Sequence, residues 1–240
     1  MSSSASNWAV IVAAGRGRRF GSGAPKQFTP LAGKPLVLWA VDAFRSHRSF
    51  SGVTVVLPRE FVDQPPAWLQ DLVSGGVILA AGGAERTDSV RHGLATVPEQ
   101  VELVAVHDGA RPLISGGDIS RVVEKAGPRR GAIAARRVAD SLKVADAEGR
   151  MLRAVSRENL WRAETPQVFP RELIVEIHRR AESEGVVASD CAGLCERYGV
   201  DVVLVEIDAP NPKVTRRRDL QFVEAMLAQQ GRAAGGAANG

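Results

Sequence analysis

The sequence predicts an α/β protein: a Rossmann-like, mostly parallel β-sheet with helices on both faces and a protruding β-hairpin arm. Short apolar runs alternate along the chain with segments whose apolar residues recur at helical spacing. This βαβα alternation is typical of parallel sheets covered by helices on both faces. One segment, at about residues 140–160, interrupts the alternation with two strand-like runs around a turn, which predicts a hairpin.

The first half of the chain alternates regularly, beginning with the apolar run Ala9–Val12, which ends at a glycine-containing loop. Pro35 stands at the start of the first helical pattern, where proline is favoured. The elements that follow are predicted as a helix over 35–47, a strand over 53–57, a helix over 68–73, a strand over 77–81, a helix over 89–97, a strand over 103–106, a helix around 119–123 and a strand over 132–135.

The second half contains the arm and then returns to the α/β pattern. An isolated hairpin is marginally stable in water, so a second subunit is the natural surface for the arm to pack on. Beyond it, helices are expected near 170–184, 190–198 and 219–229, with a strand over 202–207. We predict one domain over residues 1–230, and a disordered tail over 231–240, where glycine and alanine offer little to bury.

The composition favours phosphorylated small molecules as ligands. The net charge is +4 and the pI about 9.5, which favours acidic partners. Aromatic residues are scarce, and the cations are spread over glycine- and proline-rich loops, a pattern that argues against a nucleic-acid surface. The sequence shows neither an apolar run of membrane-spanning length nor a basic, apolar leader. With Cys191 and Cys195 as its only cysteines, the chain is expected in a reducing cytoplasm, without a membrane partner.

The segment from Ala13 to Gln27 predicts a phosphate-binding loop. Its glycines allow close backbone approach to a phosphate, while Arg19 and Lys26 supply positive charge for a pentacoordinate phosphorus. Glycine-rich turns are common, so the glycines alone do not decide the function. A Walker loop is disfavoured because Gly33-Lys34 is followed by proline rather than serine or threonine.

Two further loops follow predicted strands and therefore belong at the same edge of the sheet. The first, 82–90, offers backbone groups and Ser89 to a base or ribose, although capping of the next helix explains Thr87 and Asp88 equally well. In the second, 107–112, Asp108 is a candidate ligand for a hydroxyl or a metal, and Arg111 for a phosphate. His107 is expected to be structural.

Taken in order, these motifs resemble the 2-C-methyl-D-erythritol 4-phosphate cytidylyltransferase family of non-mevalonate isoprenoid synthesis. The resemblance extends from Trp8 to about Leu227. The motifs are Ala-Ala-Gly-x-Gly-x-Arg at 13–19 with Pro-Lys-Gln at 25–27, Glu-Arg-x-Asp-Ser-Val at 85–90, His-Asp-x-Ala-Arg-Pro at 107–112, Leu-Trp-x-Ala-x-Thr-Pro-Gln at 160–167 and Lys-Val-Thr at 213–215. Several motifs in one order are far more specific than any single one.

The resemblance implies a role for each matching residue. Arg19 and Lys26 would be catalytic, and Arg157 and Lys213 would position the acceptor. The residues implied in nucleotide binding are Ala13, Ala14, Gly15, Gly82, Arg86 and Ser89. Those implied in acceptor binding are Asp108, Arg111, Ser141 and Thr165. The chain departs from the family pattern at Ala84 and Cys191, where acids are frequent, and at Ser141, which replaces threonine but keeps the hydroxyl.

The resemblance also implies CTP and a polyol phosphate as substrates, Mg²⁺ as cofactor and a homodimer whose arm reaches into the neighbouring site. Two alternatives remain open at this level. Ribitol 5-phosphate cytidylyltransferases share the glycine-rich and Pro-Lys-Gln pattern. A non-catalytic nucleotide- or RNA-binding protein is the other alternative, and the presence of both Arg19 and Lys26 argues against it.

Overall fold

A computed structural model describes residues 7–15, 20 and 25–236 of the chain. In chain order the elements are β1 (Asn7–Val12), a 3-10 helix (Lys26–Phe28), β2 (Pro30–Leu31), β3 (Lys34–Pro35), α1 (Leu36–Arg45), β4 (Phe50–Leu57), α2 (Arg59–Asp63), α3 (Ala67–Ser74), β5 (Ile78–Ala81), α4 (Arg86–Leu94), β6 (Leu103–Asp108), α5 (Gly116–Lys125), β7 (Arg130–Arg137), β8 (Leu142–Ala145), β9 (Met151–Val155), β10 (Trp161–Pro170), α6 (Arg171–Ser183), α7 (Cys191–Arg197), β11 (Asp201–Glu206) and α8 (Arg218–Gly236).

Seven strands form the central sheet in the order β11-β7-β10-β6-β1-β4-β5. All neighbouring strands pair in parallel except β10, which is antiparallel to both β6 and β7. The central strands are almost continuously apolar because both faces of the sheet are covered, as in β4, whose last five residues are all buried. The predicted mostly parallel α/β sheet is therefore confirmed.

Helices cover both faces, and side chains alternate along each strand between the two cores. Ala9 and Ile11 of β1 pack with α1, α3 and α5 on one face, while Trp8 and Val10 pack with α4, α6 and α7 on the other. Cys191 and Cys195 lie in the second core, so both cysteines are packing residues. Over the described residues, no helix is long and apolar enough to cross a membrane.

Strand β10 is the main element that the sequence analysis did not predict. Its N-terminal half contains the charged residues Arg162 and Glu164, and Pro166 lies inside it, a residue that usually argues against a strand. The pairing with β7 shifts register between Ala163 and Gln167, and this irregularity accommodates the proline. Beyond it, Gln167–Pro170 pair with β6.

The arm is a hairpin of β8 and β9, which form a separate two-stranded sheet. Asp146 closes its turn by accepting hydrogen bonds from the backbone N–H groups of Glu148 and Arg150. Met151 and Leu152 are 62% and 63% exposed, so the arm presents apolar side chains away from the rest of the subunit.

The last helix is longer than the sequence analysis predicts. Helix α8 extends from Arg218 to Gly236, beyond the helix predicted over 219–229. Residues 237–240 lie outside the described part of the chain.

Candidate active site

A cleft of about 630 Å³ opens at the carboxyl ends of β1, β5 and β6. Ligands of doubly wound α/β folds bind at this edge of the sheet, and three predicted loops converge there. The lining residues are Val12, Ala13, Ala14, Gly15, Lys26, Gln27, Gly83, Ala84, Glu85, Arg86, Ser89, Asp108, Ala110 and Lys213.

The loop after β1 and the loop after β5 form one wall by close backbone approach. Ala13 donates its N–H to the Val56 carbonyl, and Gly82 donates to the Leu57 carbonyl, each at 2.8 Å. A Cβ at position 82 would lie 2.2 Å from the Ala14 Cβ, so only glycine fits there. Of the predicted nucleotide-binding residues on this wall, Ala13, Ala14 and Gly15 line the cleft, and Gly82 holds them in place.

The N-terminus of α4 forms the adjoining wall. The Ser89 hydroxyl accepts a hydrogen bond from the Gly83 N–H and donates to the Glu85 carbonyl, both at 3.1 Å. Asp88 caps the helix by accepting the Glu85 N–H at 3.1 Å, so capping and site formation coexist in this segment. The partial positive charge of the helix terminus faces the cleft, where it favours an anionic ligand.

Asp108 lies between two cations at the base of the cleft. Its carboxylate contacts the Arg86 guanidinium at 3.3 Å and the Lys213 ammonium at 2.7 Å. Burial raises the pKa of Asp108, but these two cations lower it by more, so the pKa lies well below its ordinary value and the group is ionised. Burial also opposes the charge on Arg86, yet the pKa of Arg86 is raised, chiefly by Asp108.

Thr165 connects the antiparallel strand β10 to the bottom of the cleft at Asp108. Its hydroxyl accepts the Asp108 N–H at 3.1 Å and contacts Nδ1 of His107 at 3.0 Å. Burial lowers the pKa of His107 to about 4, so the ring is neutral, and its Nε2–H donates to the Arg111 carbonyl at 3.0 Å. His107 is therefore structural, as predicted, and it fixes the backbone that carries Asp108.

Arg111 lies behind the cleft and is held by several acceptors. It donates to the Asn211 carbonyl at 2.7 Å and forms an ion pair with Glu164 at 3.3 Å, while its Nε lies 3.7 Å from Asp108. Asn211 in turn donates its side-chain amide to the Thr165 carbonyl at 2.8 Å. Arg111 and Thr165, both predicted acceptor-binding residues, thus adjoin the lining residues without lining the cleft themselves.

Lys26 is the predicted catalytic residue that the structure describes. It lies on the 3-10 helix, lines the cleft, and donates from Nζ to the Val214 carbonyl at 2.9 Å. This contact brings Lys26 beside Lys213, which is far away in sequence. Arg19, the second predicted catalytic residue, lies outside the described residues.

Ser141 and Arg157 lie on the arm and do not line the cleft of their own subunit. The Ser141 hydroxyl accepts a hydrogen bond from Lys143 at 2.8 Å, and Arg157 donates to the Ala139 carbonyl. Both residues are exposed. The described subunit therefore does not bring these two predicted acceptor residues together with Asp108 and Lys213.

The carboxylates of the cleft are suited to a nucleotide-bound Mg²⁺ rather than to a protein-enclosed metal. Over the described residues, no cluster of three or more histidine, cysteine, aspartate or glutamate side chains could hold a metal ion. Asp108 and Glu85 are the lining residues with carboxylates. Mg²⁺ commonly takes one or two carboxylates and completes its coordination with substrate phosphates and water. Asp108 is the candidate protein ligand in that arrangement, and it would have to exchange a contact with Arg86 or Lys213 for one with the ion.

Two buried polar residues at the site were not predicted from sequence. Gln27 lines the cleft although it is only 2% exposed, and Glu164 is a buried carboxylate between arginines, pairing with Arg111 and, at 3.4 Å, with Arg136. Gln27 belongs to the Pro-Lys-Gln motif at 25–27, but no local pattern indicates its burial, and none identifies Glu164. Their polarity predicts exposure, whereas the fold buries them.

The fold and the cleft first define a class, the nucleotidyltransferases built on a Rossmann-like sheet, with a glycine-containing loop and cations at the strand ends. The particular family follows from comparison with known proteins. The family model for 2-C-methyl-D-erythritol 4-phosphate cytidylyltransferase matches residues 8–229, and the chain belongs to this family.

Curated relatives and solved structures agree with this assignment. The 2-C-methyl-D-erythritol 4-phosphate cytidylyltransferase of Endomicrobium trichonymphae is 41% identical over 221 residues, covering 92% of this chain and 98% of the relative. That of Pelotomaculum thermopropionicum is 41% identical over 231 residues, covering 94% and 96%. The crystal structure of the Thermus thermophilus enzyme superposes with a TM-score of 0.76 at 35% identity, covering 91% and 98%.

Proposed function

We propose that this protein transfers CMP from CTP to 2-C-methyl-D-erythritol 4-phosphate and releases pyrophosphate, in the synthesis of isoprenoid precursors. The observation that carries the proposal is the Asp108 carboxylate, held between Arg86 and Lys213 at the base of a cleft lined by the glycine loop and Lys26. Because the chain belongs to the cytidylyltransferase family, CTP and 2-C-methyl-D-erythritol 4-phosphate are the proposed ligands of this cationic cleft.

The chemistry requires positioning and charge stabilisation rather than a general base. A phosphate oxygen of the acceptor attacks the α-phosphorus of CTP, forming one P–O bond while the bond to the β-phosphate breaks and pyrophosphate leaves with its electron pair. Because the attacking oxygen is already anionic, no proton has to be removed first. Lys26 and Arg19 act on the charge that develops at the α-phosphate. Lys213 and Arg157 orient the acceptor.

The nucleotide is held by the two backbone-lined walls of the cleft. Ala14 lies against Gly82 across a close loop contact, and Ser89 fixes the second loop at the helix N-terminus. Asp108 is the residue that would hold Mg²⁺, which would supply charge neutralisation for the triphosphate when bound. The acceptor occupies the Asp108, Arg111 and Thr165 side.

We propose further that the functional unit is a homodimer in the cytoplasm. Ser141 and Arg157 lie on an arm that exposes Met151 and Leu152, and neither residue lines the cleft of its own subunit. A second subunit that covers the apolar arm would receive both residues at its own acceptor side. Two buried free cysteines favour a reducing compartment.

The test is a turnover assay with CTP and Mg²⁺ that measures pyrophosphate release. Methylerythritol phosphate is expected to support turnover, with ribitol 5-phosphate far less effective and excess chelator abolishing the reaction. Preference for ribitol 5-phosphate would assign the chain to the alternative acceptor. CTP binding without turnover on either acceptor would make it a nucleotide-binding protein without this activity.

A further inference from the structure

Gln27 is a buried glutamine in the wall of the cleft, 2% exposed. Neither its side-chain nitrogen nor its oxygen has a hydrogen-bonding partner among the described residues. An unpaired buried amide destabilises a folded protein, since both groups were hydrogen-bonded to water in the unfolded chain. A ligand acceptor that reaches the side-chain nitrogen would remove the part of this penalty that comes from the N–H groups.

The local backbone holds Gln27 firmly in this unfavourable environment. The 3-10 helix is closed by hydrogen bonds from Phe28 N–H to the Pro25 carbonyl at 3.0 Å and from Thr29 N–H to the Lys26 carbonyl at 3.1 Å. The Phe28 ring packs edge-to-face against Phe61 at 4.5 Å, away from the cleft. Successive side chains of a 3-10 helix point about 120° apart, so anchoring of Phe28 fixes a different direction for Gln27, which lines the cleft.

The position of Gln27 identifies the part of the ligand that it contacts. Its neighbour Lys26 donates to the Val214 carbonyl, beside Lys213 and therefore on the cationic side of the cleft. The opposite wall, made by the loops at Ala14 and Gly82, is lined by backbone and small side chains. A side-chain N–H on the cationic side suits an anionic phosphate oxygen.

Gln167 shows how the same residue type is satisfied when its role is structural. It is 1% exposed, and its oxygen accepts the N–H groups of Cys191 and Ala192 at 3.0 and 3.3 Å. Its nitrogen donates to Asp190 at 2.9 Å. The two glutamines are equally buried, yet only Gln167 makes these protein hydrogen bonds, so burial alone does not explain Gln27.

We propose that Gln27 is a nucleotide-binding residue whose side-chain amide donates to the β- and γ-phosphates of bound CTP. The proposal rests on the proposed function for the identity of the nucleotide. It assigns the terminal phosphates to the side of Lys26 and Gln27, and the base and ribose to the opposite wall.

Replacement of Gln27 by methionine, which has a similar shape, tests whether the amide serves a ligand. Q27M removes two unpaired polar atoms, so the ligand-free variant is expected to unfold about 2–4 °C higher than the parent. The matched control is Q167M, which removes a fully paired amide and is expected to lower the melting temperature. A Q27M variant that melts below the parent would overturn the proposal, because the amide would then be serving the fold.

Calorimetric titrations with CTP, CMP and pyrophosphate locate the contact on the ligand. Q27M is expected to weaken binding of CTP and pyrophosphate about tenfold, which is the effect of losing one charge-assisted hydrogen bond. Binding of CMP should stay within twofold of the parent. Equal weakening of CMP and CTP, or unchanged binding of all three, would overturn the assignment. None of these readouts uses the acceptor, so they stand apart from the turnover assay: absence of turnover contradicts the proposed function alone.

Discussion

Gly82 and Ala14 lie so close together that a Cβ at position 82 would be 2.2 Å from the Ala14 Cβ. The close packing of the two loops that form the nucleotide side of the cleft therefore requires glycine, which has no side chain, at position 82. We expect Gly82→Ala to push the loops apart and weaken CTP binding about tenfold or more, since overpacking in a close contact costs about 1–3 kcal/mol. Calorimetric titration with CTP measures the effect.

Gly116→Ala is the matched control for this substitution. Gly116 begins α5, outside the cleft, and a Cβ there would meet nothing closer than 3.7 Å. The control should bind CTP like the parent. Equal affinities for G82A, G116A and the parent would show that the close loop contact is unimportant for binding.

Lys26 and Arg19 are expected to act on the reaction rather than on the fold. Lys26→Ala and Arg19→Ala should each reduce kcat by about 10² to 10³, the usual effect of losing one preorganised group that stabilises charge in the transition state. Steady-state pyrophosphate release measures kcat, and circular dichroism checks that the variants are folded. Near-normal turnover in either variant would remove that residue from the catalytic role.

A shared active site predicts complementation between two inactive variants. In a mixed dimer of Lys26→Ala and Arg157→Ala chains, one site would carry both defects and the other neither. Random mixing should therefore restore about a quarter of the wild-type activity, because half of the dimers are mixed and each has one intact site. Mass spectrometry of differently tagged chains confirms exchange. No recovery despite confirmed exchange would show that each subunit supplies its own Arg157.

Glu164 should contribute more to stability than an exposed carboxylate in a comparable ion pair. It is 7% exposed and pairs with both Arg111 and Arg136. Glu164→Gln leaves two arginines without their counter-charge, with an expected loss of about 2–3 kcal/mol in the free energy of unfolding.

Glu206→Gln is the control for this loss. Glu206 pairs with Arg137 at 3.5 Å, but its side chain is 54% exposed, so the expected change is below about 0.5 kcal/mol. Urea unfolding at pH 7.5 measures both variants. Similar losses would mean that burial does not distinguish the two ion pairs.

The stability of the protein should fall as the pH is lowered from about 6.5 to about 4. Burial, with a smaller contribution from Arg86, lowers the pKa of His178 to about 4, and burial lowers that of His107 to about 4 as well. An unfolded imidazole titrates near 6.5, so the unfolded chain binds more protons in this range and is favoured as the pH falls. His178→Gln should reduce this pH dependence, by on the order of 2–3 kcal/mol between pH 7.5 and 4. Parallel urea titrations of variant and parent provide the comparison, and identical slopes would exclude a contribution from His178.

The sheet could be predicted where burial leaves a local pattern. Strands such as β1 and β4 are covered on both faces, so their sequences are short apolar runs with flanking turns. Strand β10 has no such pattern, because Glu164 and Pro166 interrupt it and a register shift compensates for the proline. The arm could be predicted from a different local pattern, because two strand-like runs flank a clear turn at Asp146 and Gly149.

The loops of the site could also be predicted, since each follows a strand, but the contacts across the cleft could not. The contact between Asp108 and Lys213 joins residues 105 positions apart, and no local spacing indicates it. The burial of Gln27 and Glu164 is likewise a property of tertiary packing, which overrides the polarity of each residue. Sequence patterns report on neighbours along a helix or strand, whereas this cleft is lined by five separate segments.

The single antiparallel strand has a consequence for the order of assembly during synthesis. Strands β6, β1, β4 and β5 lie within the first 108 residues and form an unbroken block, while β7 and β11 join that block only through β10. A nascent chain can therefore complete the block early, but β7 gains its link to it only after residues 161–170 leave the ribosome. The half of the cleft that contains Ala14 and Gly82 is thus built first, and the half completed by Thr165 and Lys213 last.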